Sequence, residues 1–174
     1  MLALGMRSGY EIKQFVDKST RFFWAASYGQ IYPELQRLEE EGLVRGQADP
    51  AGGRARMTYE LTEAGEQALQ AWLRSDDDPL YELRDEGMLK LFFSDSLPER
   101  RIANIAAMRA LQERKLAALR AIEPMAAGHG PEGPYLTLQL GIGLTQWLID
   151  WCEATERRLA EAEETETPHA DQAR

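Results

Sequence analysis

Cysteine is nearly absent from this chain. Cys152 stands alone among 174 residues, which excludes an internal disulfide framework and fits a reducing compartment. Histidine is almost as scarce: His129 falls in a Gly/Pro loop and His169 in a tail, remote from each other and from Cys152. Metal and nucleophilic sites need convergent ligands, and none converge here. Glu39-Glu40-Glu41 reads as a solvated helix end, and Asp76-Asp77-Asp78 as a helix cap rather than a cation site. No apolar run approaches the roughly 20 residues of a membrane span. Met1 to Gly9 lacks both the basic and the apolar region of a signal peptide. Ala51-Gly52-Gly53 precedes a strand and lacks the Gly-Lys-Ser/Thr end of a phosphate-binding loop. The expectation is a cytoplasmic protein with no membrane contact, no metal, no cofactor and no enzymatic activity.

Positive charge is also in short supply. Lys and Arg number 20 against 29 Asp and Glu, a net charge of -9, which argues against a phosphate-rich partner. The shortage is uneven, however. Residues 1–74 hold nine basic and ten acidic side chains, and residues 75–174 hold eleven and nineteen. The acidity belongs to the second half, so the total charge does not decide what the first half binds. Hydrophobic residues make up 44% of the chain, enough for a packed core.

What is present divides the chain into helices and one ribbon. Ser8-x-x-Glu11 has capping-box spacing and opens a helix to about Thr20, with Ile12, Phe15 and Val16 as its apolar stripe. Phe22-Phe23-Trp24-Ala25-Ala26 is an apolar connector, expected in the core between the two halves. Ser27-x-x-Gln30 is a second capping box, and its helix runs to about Glu41 with Gly42 as C-cap. Strand-like runs at Leu43–Ala48 and Arg56–Leu61 flank the turn-rich segment from Asp49 to Arg54. Thr62 then caps a helix to about Arg74. Helix, helix, two-stranded ribbon, helix is the order of a winged helix-turn-helix.

The second half reads as helical. Asp76-Asp77-Asp78-Pro79 predicts the start of a helix of about 15 residues through Phe93. A long helix spans Glu99 to about Ile122, Pro124–Pro134 is a loop, and the last helix covers about Tyr135 to Ala162. In that helix Tyr135, Leu138, Ile142, Thr145, Ile149, Cys152, Glu156 and Leu159 step by three and four. Leu140, Leu144, Trp147 and Trp151 make a second stripe. A helix apolar on two faces needs partners on both, and a second copy of the chain supplies the missing one: a homodimer is expected, with a monomeric three-helix bundle as the alternative. Gly141 and Gly143 point to close backbone approach. The expected fold is mainly α. It comprises an N-terminal winged helix-turn-helix DNA-binding domain with a two-stranded wing (1–75), a C-terminal helical dimerisation domain (76–162) and an acidic disordered tail (163–174).

The helix from Ser27 to Glu41 carries the functional signal. Ile31, Leu35 and Leu38 share an inward face, while Gly29, Pro33, Gln36 and Glu40 share the opposite arc, flanked by Gln30, Tyr32 and Arg37. Gln, Tyr and Arg reach base edges and phosphates, and a recognition helix presents them near its N-terminus. An ordinary surface helix would show the same polar face. Arg54 and Arg56 add weight, because they sit at a Gly-rich ribbon tip where a wing meets backbone or minor groove.

These residues have a familiar pattern. Ser8-Gly9-Tyr10-Glu11-Ile12, the run from Ser27 through Gly29-Gln30-Ile31-Tyr32-Pro33 to Leu43-Val44, and the run from Gly53-Arg54 to Gly65 resemble the PadR family of bacterial transcription regulators. The second half is similar to the long-tailed branch of that family through Arg84-Asp85-Glu86 and Leu89-Lys90-Leu91-Phe92-Phe93. The resemblance implies a homodimeric winged-helix protein, usually a repressor, with Tyr32, Arg54 and Arg56 on the DNA backbone. Gln30, Gln36 and Arg37 are the candidates for base or near-base contact on a double-stranded operator. Trp147 and Trp151 are candidate walls for a small apolar or phenolic effector, against the plainer reading of core packing. Met57 and Glu60 stand where the family often has basic residues, so this wing is thin in charge. Only Met1 to Met6 precede the Ser8 cap where the family has a helix of about three turns, and the native start is expected upstream, or part of that helix lost. The rival reading is a winged-helix protein-interaction module that never touches DNA.

Overall fold

The computed structural model describes residues 1–49, 56–79, 81–128 and 130–166, with Asp49, Arg56 and Glu166 described by their backbone alone. The chain forms two compact units, Met1–Leu80 and Tyr81–Arg174.

The first unit contains α1 (Gly9–Lys18), α2 (Tyr28–Glu40), β1 (Val44–Asp49), β2 (Arg56–Leu61) and α3 (Glu63–Arg74). Local chemistry sets each boundary. The Ser8 Oγ accepts from the Glu11 N–H at 3.2 Å, and Glu11 Oε2 accepts from the Arg7 N–H at 2.7 Å. Gln30 Oε1 accepts from the Ser27 N–H at 2.9 Å, the reciprocal half of the second capping box. α2 stops at Gly42, whose φ of 72° is open to glycine at little cost. There the Gly42 N–H donates to the Glu39 carbonyl and the Leu43 N–H to the Leu38 carbonyl, a Schellman closure. Thr62 Oγ1 caps α3 by accepting from the Gly65 N–H at 3.1 Å, and donates to the Gly42 carbonyl at 2.7 Å. The strands pair antiparallel from Val44↔Leu61 to Asp49↔Arg56. Ile12, Val16, Ile31, Leu35, Val44 and Tyr59 form the buried core with Leu38 partly buried against it, as the periodicity predicts, whereas Phe15 of the α1 stripe is half-buried outside this cluster.

Phe23 and Trp24 depart from expectation. Both are 63% exposed rather than core, because the connector turns through a short 3-10 segment, Thr20–Phe22, that leaves them on the surface of their unit.

The second unit contains α4 (Glu86–Phe92), α5 (Arg101–Ala126) and α6 (Glu132–Glu166). α4 begins at Asp85, not at the Asp76–Pro79 run. Asp85 Oδ1 accepts from the Met88 N–H at 3.0 Å, and residues 81–85 are not helical. Tyr81 is 84% exposed, so an earlier start would have had no apolar surface to bury. α5 continues past Pro124, which falls in its last turn. The stop comes at Gly128, with φ 84°, after the Ala127 N–H has closed on the Glu123 carbonyl. α6 starts earlier and ends later than the apolar pattern alone indicates; residues 167–174 of the expected tail lie outside the described residues.

α5 and α6 run antiparallel along the seam. Arg109 Nε donates to Glu156 Oε1 at 3.0 Å, Arg120 to Gln146 at 2.9 Å and Gln139 to Glu123 at 2.7 Å, in reversed order along the two helices. Thr145, Ile149 and Cys152 are buried on this seam, and Cys152 is fully enclosed with Ile105 and Met108. Burial pushes the Cys152 thiol up, aided by the Glu156 charge and opposed by Arg109. Among the described residues nothing comes into close backbone approach at Gly141 or Gly143. A Cβ on Gly141 would meet only Leu119 Cδ1 at 3.7 Å, and one on Gly143 nothing within 4 Å.

Candidate nucleic-acid interface

α2 presents its polar arc outward while Ile31 and Leu35 anchor it. Gln36 is exposed on that arc. Tyr32 is 44% exposed and lies over the first turn of α1: a Cβ on Gly9 would be 2.6 Å from Tyr32 Cε1. Glycine at the start of α1 is therefore what lets the Tyr32 ring cross it. Tyr32 also stacks on Tyr28, with centroids 6.0 Å apart at 19°, and the Lys13 ammonium stands 5.9 Å from the Tyr28 centroid. The polar arc of α2 does not single out Tyr28. The signal for it in the sequence is its i, i+4 spacing to Tyr32.

Two of the expected contact residues are already engaged. Gln30 spends its Oε1 on the Ser27 N–H and hydroxyl. Arg37 forks onto Glu34, Nε to Oε2 at 3.0 Å and Nη2 to Oε1 at 2.7 Å, and also pairs with Glu41. These bonds raise the guanidinium pKa further, first through Glu34 and then Glu41, and hold the Glu34 carboxyl below its ordinary range. Contact between Arg37 and a base edge would have to replace carboxylates that it already holds.

The wing is described at its root. Arg54 lies outside the described residues; Arg56 opens β2 opposite Asp49, and of its side chain nothing is described. Glu60, the acidic departure on β2, is paired with Arg7 at 3.2 Å, so its charge is met locally. Beside the N-terminus of α2 runs an open groove lined by Lys13, Asp17, Arg21, Ser27 and Gln30. The helix N-terminus adds partial positive charge there.

Trp147 and Trp151 belong to the other unit. Trp151 is half-buried against Ile105, Met108 and Cys152, as core packing requires. Trp147 is 63% exposed, in line with Leu136, Leu140 and Leu144. Among the described residues no group of three or more His, Cys, Asp and Glu could hold a metal, and no helix is long and apolar enough to cross a membrane.

Comparison with known proteins places this geometry. Residues 1–71 match the transcriptional regulator PadR-like family, and residues 83–160 match the virulence activator alpha C-terminal family. The negative transcriptional regulator PadR of Bacillus subtilis is 28% identical over 167 residues, covering 88% of this chain and 90% of that protein. Its crystal structure in complex with operator DNA is similar at a TM-score of 0.77 and 28% identity, over 87% of this chain and 89% of that one. Its complex with p-coumaric acid is similar at 0.70 and 27%, over 88% and 87%. The Vibrio cholerae virulence activator AphA is similar at 0.69 and 25%, over 92% of this chain and 95% of that one. With a PadR-like family domain ahead of a virulence-activator alpha C-terminal domain, this chain is a transcriptional regulator of PadR type.

Proposed function

We propose that this regulator is a homodimeric repressor that reads a pseudo-palindromic double-stranded operator with two copies of α2. The reading is carried by the outward arc of α2, where Tyr32 and Gln36 stand exposed in the frame shared with an operator-bound relative. Gln30, Gln36 and Arg37 are assigned to base or near-base contact, and Tyr32, Arg54 and Arg56 to the DNA backbone. Repression follows the Bacillus subtilis relative, which is a negative regulator.

Dimerisation is supported by the outer stripe of α6. Leu136, Leu140, Leu144 and Trp147 are 58%, 63%, 61% and 63% exposed, an apolar row left largely uncovered by the described residues. Trp147 lies on that row, so an effector cavity walled by Trp147 and Trp151 would be closed by the second copy. The relative's complex with p-coumaric acid supports a phenolic effector. Binding would then shift the spacing of the two heads and so the operator affinity.

A gel shift tests this on the DNA upstream of the chain's own gene, at low stated salt, with and without p-coumarate. Retarded DNA that p-coumarate releases is the expected result. Absence of any shift at low salt would favour the protein-interaction reading instead. Rising reporter expression on deletion of the gene distinguishes repression from activation.

A further inference from the structure

We propose that Glu39 is a positioning residue that sets the wing against the recognition helix. The inference rests on the DNA-reading role proposed above, but its geometry does not.

The observation is a single rung of the ribbon. Gly46 and Tyr59 face each other across β1 and β2. The Gly46 N–H donates to Glu39 Oε1 at 3.0 Å, and the Tyr59 N–H donates to the Arg7 carbonyl at 2.7 Å. Both amides therefore point away from the partner strand, as in the non-hydrogen-bonded pairs of an antiparallel ladder. A two-stranded ribbon has two bare edges, and at this rung each edge is held from outside. α2 holds β1 through a side chain; the segment before α1 holds β2 through its backbone.

The side-chain half is the specific one. Glu39 follows Gln36 by three residues, so it projects from the same side of α2 as a proposed base-reading position. A carboxylate accepting a backbone N–H makes a charge-assisted bond, stronger than a neutral one. The strand residue must be glycine for the carboxylate to arrive. A Cβ at 46 would sit 2.6 Å from Glu39 Oε1 and 3.0 Å from Met57 Cε. Glu39 and Gly46 thus form one device, and it lies between the helix that carries base contacts and the strands that carry Arg56. The wing is thin in charge, so its few cations help only where they are held at the backbone.

The test uses the full chain with Glu39→Gln, Glu39→Ala, Gly46→Ala, Arg54→Ala with Arg56→Ala, and the last pair combined with Glu39→Ala. The first readout is amide exchange in the free protein. Glu39→Ala should speed exchange at Gly46 by about tenfold or more while leaving the Val16 amide unchanged. Glu39→Gln keeps an acceptor oxygen and should stay within about threefold of wild type. The second readout is affinity for a duplex from upstream of the gene across a salt series. Glu39→Ala and Gly46→Ala should each weaken binding by about the factor seen for the two wing arginines. Adding the arginine changes to Glu39→Ala should cost little more, because coupled residues are not additive. The salt slope should fall by about 0.9 for each phosphate that is no longer neutralised, and Glu39→Gln should restore it.

Unmoved Gly46 exchange in Glu39→Ala overturns the proposal, as do independent, multiplying losses. Tighter binding by both Glu39 variants would assign Glu39 to simple charge repulsion and overturn it too. If the wild type fails to retard the duplex, the DNA reading fails, and the exchange result alone decides whether Glu39 holds the wing.

Discussion

Gly65 and Gly9 are small for different reasons, and the difference is measurable. A Cβ at Gly65 would lie 1.9 Å from the Leu43 carbonyl oxygen, a backbone atom that also accepts from the Thr62 N–H. Nothing there can give way, so Gly65→Ala should cost about 3 kcal/mol, the upper range for overpacking. A thermal midpoint equal to wild type would refute this. At Gly9 the obstacle is the edge of the half-exposed Tyr32 ring, which can swing aside. Gly9→Ala should change stability by no more than about 1 kcal/mol. It should nonetheless weaken operator binding severalfold, because Tyr32 leaves its place over α1. Wild-type affinity in that variant would remove Tyr32 from the backbone contacts. Neither role is legible in the sequence. Each depends on a partner far along the chain, whereas the glycine on the polar arc of α2, Gly29, has only Ser27 Oγ near it at 3.7 Å.

Elements are legible where their signals are local. The boxes at Ser8 and Ser27, the Gly42 stop and the Thr62 cap on the Gly65 N–H all lie within a few residues of what they satisfy. α4 is not, because three aspartates imitate a cap and only burial reveals that Tyr81 to Arg84 has nothing to bury against. The Glu39–Gly46 bond is hidden for a similar reason: it appears only once β1 folds back along α2. The α4 assignment predicts that Asp85→Ala removes about 1 kcal/mol, while Asp85→Asn retains most of it and Asp76→Ala does nothing. Urea unfolding of the three proteins checks it, and an Asp76→Ala loss as large as that of Asp85→Ala would restore the earlier helix start. Within α2, Arg37 holds the Glu34 carboxyl below its ordinary value. A depressed folded pKa adds stability above the unfolded carboxylate range, and that stability is lost as pH falls through the folded value. Glu34 is half exposed, so the increment is small and screened by salt. Glu34→Gln should flatten the acid limb of the stability curve slightly at low salt and not at high salt; an identical limb at both would show that the pair contributes nothing.

At the scale of the molecule, the net charge of -9 and the bare apolar row on α6 make one argument. On the proposed reading, a head near neutrality with a thin wing would neutralise few phosphates, so one head alone would bind weakly and a second would multiply its affinity. The inner seam of α6 packs on α5, so on the proposed dimer reading the outer row is the surface that would bring the second head. Gly143 lies on that side with open space around it, although glycine costs a helix about 1 kcal/mol relative to alanine. In a lone chain, Gly143→Ala should therefore stabilise the protein by up to that amount. Where two copies bring α6 backbones together, the same methyl should loosen them. Light scattering and melting of Gly143→Ala, beside Leu144→Glu, separate the cases. A dimer held by this row should fall to monomers with Leu144→Glu, keep its helical content, and lose operator affinity by about 100-fold or more as the second head is lost. Gly143→Ala should then weaken the dimer rather than raise its melting point. A Leu144→Glu protein that stays dimeric would move the interface elsewhere on the second unit, to the exposed Met88, Leu89 and Phe92 of α4.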